Sequence, residues 1–134
     1  TVVDPTSEDL AAVVAARTGG LGVDAVIMAV GVTEIVGDLL RLVRKGGFCN
    51  LFAGFAGAGE TTISANVIHY NEVNVVGTSS SARRHYEKAL RLIATGIVDV
   101  RSLVTARYPL QRVPEAVAAV RQCEGLRVVV CPAD

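Results

Sequence analysis

The stretch "GGFCNLFAGFAGAGE", residues 46–60, decides the fold. A largely apolar run, 48–54, is followed by three glycines within six residues: Gly54, Gly57 and Gly59. Short apolar runs bounded by glycine are typical of strands buried in a parallel sheet. The glycines raise the question of whether a phosphate-binding loop follows this strand.

The glycine spacing does not fit such a loop. A dinucleotide-binding fingerprint needs G-x-G-x-x-G between a strand and a helix, because the helix N-terminus faces the pyrophosphate. The glycines here follow G-x-x-G-x-G, and the β-branched "ETTISA" comes next rather than a helix start. We therefore predict a flexible surface connection, in a chain that has a nucleotide-binding type of sheet without its phosphate loop.

Strand-like and helix-like segments alternate along the first eighty residues. Short connections between them predict a parallel α/β sheet with right-handed crossovers. A capping signature at Thr6 and Asp9 opens the first helix, and "TGGLG" ends it. The strand candidates are 1–4, 23–31, 48–54, 61–65 and 72–79, and the second helix pattern covers 33–47.

The pattern changes at Ser81, so we expect two units, 1–80 and 81–134. The second unit has helix patterns at 82–96 and 113–125 and strand patterns at 104–110 and 126–132. Its first helix is amphipathic, and the apolar positions predicted to point inward are Tyr86, Ala89, Leu90 and Ile93.

Composition excludes several classes of function. The chain has 134 residues, of which 51% are hydrophobic, and this content argues against disorder. Its 13 basic and 13 acidic residues cancel, which argues against nucleic-acid or anionic-membrane partners. No apolar run approaches the roughly 20 residues of a membrane helix. The odd number of cysteines (Cys49, Cys123 and Cys131) fits no disulfide framework and favours a reduced, cytoplasmic setting.

No metal site or catalytic residue is expected within the chain. A catalytic zinc needs about three protein ligands. The two histidines, His69 and His85, and the three cysteines share no metal-ligand spacing. We expect both histidines to be structural or exposed.

Four segments together resemble the medium-chain, zinc-dependent alcohol dehydrogenase family, and in particular its polyol and threonine dehydrogenase-like branch. The resemblance covers essentially the whole chain but less than half of a family chain. The segments are "DPTSEDLAAVVAARTGGLGVDAVIMAVG" (4–31), "LRLVRKGGFCNLFAGF" (40–55), "NVIHYNEVNVVGTSSSARRHYEKALRLIATGIVDVRSLVTARYPL" (66–110) and "EGLRVVV" (124–130).

The fold that this resemblance implies is α/β: a partial Rossmann fold, with strands 3 to 6 of a doubly wound parallel sheet, plus C-terminal elements of the catalytic lobe. Residues 1–80 would be the C-terminal part of the NAD(P)-binding Rossmann domain, and 81–134 the C-terminal part of the catalytic (GroES-like) domain. In the order 3-2-1-4-5-6, strand 3 (1–4) lies roughly 14 Å from strand 4 (23–31). Without strands 1 and 2, it should not pair beside strand 4.

Ligands of open α/β sheets bind at the carboxyl ends of the strands. The resemblance implies that NAD or NADP is contacted there, largely through backbone atoms. Arg127 matches a basic family position that reaches the pyrophosphate, a role suited to the planar guanidinium. The strand-end positions are Val30, Gly31, Phe52, Ala53, Gly54, Thr78 and Ser79.

The implied function is that of an NAD(P)-dependent oxidoreductase that interconverts an alcohol or polyol and its carbonyl by hydride transfer. Zinc would assist in the intact enzyme, with ligands outside this chain, and the chain alone should be inactive. The resemblance also implies a homo-oligomer, in which the edge strand 61–65 pairs with the same strand of a second copy.

Three alternatives stay open. The first is a zinc-free quinone-type reductase of the same superfamily. The second is an S-adenosylmethionine-dependent methyltransferase-like domain, indicated by the helix–GG–strand pattern of 39–54, whose sheet should end in an antiparallel hairpin strand. The third is a noncatalytic interaction module.

Overall fold

A computed structural model of the chain describes residues 1–132. The chain divides into two compact units, Thr1–Ser80 and Ser81–Asp134. Each unit has its own parallel sheet: three strands in the first and two in the second.

The first unit is a three-stranded parallel sheet with helical crossovers. Strand order is β1-β2-β3, so consecutive strands are neighbours. The α/β fold expected from the sequence is confirmed, with β1, β2 and β3 in the places of strands 4, 5 and 6. Its elements are α1 (Leu10–Thr18), β1 (Val23–Met28), a 3₁₀ turn (Thr33–Ile35), α2 (Val36–Arg41), β2 (Val43–Leu51), α3 (Ala65–Asn71) and β3 (Asn74–Gly77).

Helix α1 has a side-chain cap at its start and a glycine at its end. The Asp9 carboxylate accepts hydrogen bonds from the backbone N–H groups of Ala11 and Ala12, which no carbonyl of the helix could satisfy. Asp9 is therefore the N-cap, in place of the expected Thr6. Gly19 ends the helix in the left-handed conformation, as the "TGGLG" segment predicts.

The second predicted helix is shorter than its pattern. It was expected to extend over 33–47, but α2 ends at Arg41 and β2 begins at Val43. The Leu42 carbonyl accepts from Val23 N–H at 2.8 Å, so pairing with β1 takes the backbone that would have continued the helix. Arg44 accordingly lies in the strand, where it pairs with Asp24 of β1.

One face of the three-stranded sheet carries the core. Met28 and Cys49 are buried there against Leu40 of α2. The opposite face, which has Ile27, Phe48 and Val76, is exposed. The apolar run 23–31 has the composition of a strand that is covered on both faces, but among the described residues only the face that carries Met28 is covered. Its composition shows that it can be buried and cannot show how many layers cover it.

Two of the expected strands do not form. Residues 1–4 have no regular structure, since there is no neighbouring strand to bond their backbone, and they do not pair beside β1, as expected. Residues 61–64 are also irregular, and Ala65 opens α3, so the predicted edge strand 61–65 is wrong. The sequence "TTISA" has the β-branched composition of a strand, yet the described residues provide no partner ladder for it.

The glycine-rich stretch is the irregular connection that its spacing predicts. No helix or strand occurs from 52 to 64, and Gly57 and Gly59 have left-handed backbone. Phe55 packs partly against the core. A Cβ on Gly31 would overlap with the Gly54 carbonyl oxygen, so the connections that follow β1 and β2 touch through their backbones.

The second unit is a parallel strand pair joined through a helix. Helix α4 (Arg83–Ala94) is followed by a 3₁₀ turn (Arg101–Leu103), β4 (Val104–Pro109), a 3₁₀ turn (Leu110–Arg112), α5 (Val113–Arg121) and β5 (Arg127–Cys131). Ala116 and Ala119 are the buried residues of α5. Strands β4 and β5 pair in parallel, and α5 lies between them in the chain, because a parallel pair needs a crossover connection.

The apolar face of α4 is not buried. Tyr86 and Leu90 were expected to point inward, but 64% and 65% of their surfaces are exposed, and Ala89 and Ile93 are exposed as well. Helical periodicity identifies the apolar side of a helix and does not show what packs on it. Among the helices in residues 1–132, none has the length and apolar character to cross a membrane.

Replacing Leu40 tests the core of the first unit. Leu40 is 1% exposed, so Leu40→Ala should lower the free energy of unfolding by about 2–5 kcal/mol, through lost burial and the cavity left behind. The measurement is urea unfolding of the chain. Leu90→Ala is the matched control, because Leu90 is mostly exposed and should change stability far less. Equal effects would contradict this placement of the core.

A second substitution tests the backbone contact at the strand ends. Gly31→Ala should destabilise the chain by about 1–3 kcal/mol, because the new Cβ meets the backbone of Gly54 rather than a movable side chain. Gly54→Ala is the control, since nothing lies within 4 Å of its Cβ position. Urea unfolding of both variants checks the expectation, and it would be wrong if Gly31→Ala matched the parent chain.

Candidate functional site

The segments that follow the three parallel strands meet at one edge of the sheet. The Met28 carbonyl at the end of β1 accepts hydrogen bonds from the N–H groups of Phe52 (3.1 Å) and Ala53 (2.9 Å). The Leu51 carbonyl at the end of β2 accepts from Thr78 N–H at 3.3 Å. These bonds fix the three strand ends relative to one another.

The structure brings seven of the eight predicted binding residues to this edge. We call them the carboxyl edge: Val30, Gly31, Phe52, Ala53, Gly54, Thr78 and Ser79. Val30 and Phe52 are 52% and 59% exposed, so each offers an apolar side chain to a ligand. Strand β1 ends at Met28, before the predicted end at 31, so Val30 and Gly31 belong to the turn beyond it.

Small residues leave the carboxyl edge open. Nothing lies within 4 Å of the Cβ positions of Gly54 and Gly77. A ligand can therefore approach the backbone of both strand ends closely, which a larger residue would prevent.

Thr78, one of the predicted residues, has a polar partner at this edge that the sequence reasoning missed, Asn50. The Thr78 hydroxyl donates a hydrogen bond to the Asn50 Oδ1 atom, with 3.3 Å between the oxygens. Asn50 is half-buried in β2, and Thr78 follows β3. The signal was present: Asn50 is the one amide side chain in the run "FCNLFAG".

The carboxyl edge carries no charged side chain, and pKa shifts occur elsewhere in the unit. The hydrogen bond and charge of Arg44 lower the pKa of Asp24, which is near the start of β1. Burial raises the pKa of the Cys49 thiol, because desolvation disfavours the thiolate. The Cys49 side chain also lies on the packed face of the sheet, so it does not supply a nucleophile at the edge.

The eighth predicted residue, Arg127, belongs to the second unit, where it is exposed at the start of β5. Thr105 of β4 holds this start: its hydroxyl oxygen accepts from the N–H groups of Leu126 (2.9 Å) and Arg127 (3.3 Å). Gly125, just before, has left-handed backbone, and a Cβ there would overlap with the Thr105 side chain. The backbone that presents Arg127 is therefore fixed.

The described residues do not assemble a metal site. Within 1–132, no group of three or more His, Cys, Asp or Glu side chains is placed to hold a metal ion. His85 has a different use, because its Nδ1 atom accepts a hydrogen bond from Ala82 N–H and caps α4. His69 packs edge-on against Tyr70.

Known proteins provide a second line of observation. A D-arabitol-phosphate dehydrogenase from Enterococcus avium is 31% identical over 129 residues, which are 96% of this chain and 36% of the relative. A D-arabinitol dehydrogenase 1 from Uromyces fabae is 33% identical over 114 residues, or 83% of this chain and 32% of the relative. The chain thus spans about a third of the length of these relatives.

A solved structure agrees in fold. A Sinorhizobium meliloti protein classed with the zinc-binding dehydrogenases, with NADP bound, superposes with a TM-score of 0.82 at 28% identity, over 97% of this chain and 38% of that protein. The sequence model for the zinc-binding dehydrogenase family matches residues 1–95, which include the whole first unit. The sequence match and the fold of the first unit point to the same family, and the chain belongs to the zinc-binding dehydrogenase family.

Proposed function

We propose that this chain forms one wall of the cofactor cleft in an NAD(P)-dependent oxidoreductase that interconverts an alcohol or polyol and its carbonyl. The observation that carries the proposal is the convergence of three strand ends at the open carboxyl edge. Open α/β sheets bind their ligands at this place. Family membership and the NADP-bound neighbour support the choice of ligand.

The cofactor supplies the hydride chemistry, and this chain binds and orients it. The exposed side chains of Val30 and Phe52 would cover the nicotinamide and exclude water from it. The backbone of Gly54 and Gly77 allows close approach, because neither residue has a Cβ and nothing lies within 4 Å of either Cβ position. Arg127 would donate paired hydrogen bonds to the pyrophosphate, and Thr105 and Gly125 set its backbone position.

Zinc belongs to the proposal only for the intact enzyme. The residues described here do not fit a zinc ion, because they bring no three ligands together. The zinc ligands would therefore lie outside this chain. Likewise, the residue that distinguishes NAD from NADP is expected after strand 2 of the family sheet, so both cofactors are proposed.

The relatives support a polyol as the substrate class. The two relatives compared above are named for the oxidation of an arabitol phosphate and of arabinitol. A series of small polyols is thus the first set of compounds to test. A quinone-type reductase of the same superfamily remains the second candidate, because it needs the same sheet and no zinc.

The methyltransferase-like alternative has less support. It called for a sheet that ends in an antiparallel hairpin strand, whereas all pairings in the described sheet of the first unit are parallel. No matching feature of the described residues favours S-adenosylmethionine over a dinucleotide.

The function can be tested on the full-length product of the gene that encodes this chain. We expect it to reduce NAD⁺ or NADP⁺ in the presence of a polyol, and to lose this activity after zinc is removed with a chelator and regain it on zinc addition. The measurement is nicotinamide absorbance, with xylitol, sorbitol and arabitol as substrates.

Two comparisons make this test specific. The 134-residue chain alone should show no turnover, because it spans only about a third of the length of the two relatives compared above. Quinone reduction with NADPH that survives chelation would favour the zinc-free reductase. Binding of S-adenosylmethionine without binding of NADH or NADPH would overturn the proposal.

We propose also that the intact protein is a homo-oligomer in a reduced, cytoplasmic setting. Strand β3 is the last strand of its described sheet, and its four residues are exposed, so its open edge can pair with a second copy. Cys123 is exposed and unpaired, which suits a reducing compartment. Light scattering of the full-length protein should give a dimer or tetramer mass, and a monomer mass at micromolar concentration would contradict this.

A further inference from the structure

We propose that Asn50 is a positioning residue for the cofactor: it holds the Thr78 hydroxyl so that Thr78 accepts a hydrogen bond from the bound dinucleotide. This inference rests on the proposed function. It goes beyond it by assigning a side chain within β2, rather than a strand-end backbone, to cofactor recognition.

The first step is the register of the sheet. Asn50 pairs with Val76 of β3, so the two side chains share a face. Thr78 follows two residues after Val76, and its side chain therefore returns to the same face as Asn50. The two strands thus place the amide directly beneath the hydroxyl.

The second step is the direction of the hydrogen bond. The Thr78 hydroxyl proton is donated to Asn50 Oδ1, so the remaining lone pairs of the hydroxyl oxygen face away from the amide. Thr78 can then only accept a hydrogen bond from a ligand. A dinucleotide offers suitable donors in its ribose hydroxyls and in the nicotinamide carboxamide.

The third step is that Thr78 is held at two points. Its backbone N–H donates to the Leu51 carbonyl at 3.3 Å, and its hydroxyl donates to Asn50. With both fixed, the χ1 rotamer of an otherwise exposed threonine is set before a ligand arrives. A preset acceptor costs less ordering entropy on binding.

Comparison with Asn74 separates this role from a structural one. Asn74 lies on the same face, opposite Phe48, and its Nδ2 group donates to the Gly47 carbonyl at 3.4 Å. That bond ties the start of β3 to β2, at the end of the sheet away from the carboxyl edge. Asn50 instead binds a hydroxyl at the carboxyl edge, where neighbouring residues leave open space.

The test measures NADH and NADPH affinity of the full-length protein by fluorescence titration. Asn50→Leu keeps the size of the side chain and removes the acceptor, and Asn50→Asp keeps the acceptor. Thr78→Val removes the hydroxyl. Asn74→Leu is the matched control, because it removes an amide from the same face without touching Thr78.

We expect Asn50→Leu and Thr78→Val each to weaken cofactor binding by about 2–10-fold, the range of one hydrogen bond. The double variant should lose no more than the larger single effect, since both changes remove the same interaction. Asn50→Asp should bind more tightly than Asn50→Leu, and Asn74→Leu should bind like the parent. The KM for cofactor should rise with kcat retained.

Some results would overturn only the role of Asn50, and others would overturn the proposed function as well. Parent-like affinity of Asn50→Leu, or additive losses in the double variant, would overturn the inference while the proposed function stands. If the parent protein binds neither NADH nor NADPH, the proposed function fails and the inference with it. Should Asn50→Leu not fold, Asn50→Ala takes its place with the same expected loss, and parent-like affinity of Asn50→Ala overturns the inference.

Discussion

The parallel pairing of β1, β2 and β3 is the constraint on which the rest of the first unit depends. In a parallel sheet the carboxyl ends of all strands lie at the same edge. The three segments that follow β1, β2 and β3, although far apart in sequence, must therefore all begin at that edge. The Met28 and Leu51 carbonyls, each accepting from the next connection, then fix how these segments leave the sheet. The openness of the carboxyl edge follows from this arrangement and from the glycines within it.

The same sheet separates packing from binding by its two faces and its edge. Met28 and Cys49 are buried on one face with Leu40, and this burial raises the pKa of the Cys49 thiol. Reactive groups are absent from the carboxyl edge among the described residues, where shape and backbone hydrogen bonding dominate. This is the division expected of a domain that orients a cofactor and leaves the chemistry to it.

Much of this organisation could be predicted from sequence, because apolar runs and glycine stops are local signals. The strand cores at 48–51 and 74–77, the end of α1 at Gly19 and the irregular glycine-rich connection all follow from such signals. The early end of α2 could not be predicted, since pairing with β1 overrides a helix propensity that continues to Lys45. Segments 1–4 and 61–64 have strand composition, but a strand also needs a partner, and composition contains no information about partners.

Asn50 shows how a site residue can be hidden from sequence reasoning and fixed by the fold. Its pairing with Val76 makes Thr78 its neighbour on the same face. A slip of one residue between β2 and β3 would place Thr78 on the face of Cys49 and move the amide away from the hydroxyl. The same register pairs Val75 with Cys49 and Val76 with Asn50, so the side chains of β3 and Thr78 that share the face of Asn50 are a consequence of one strand alignment.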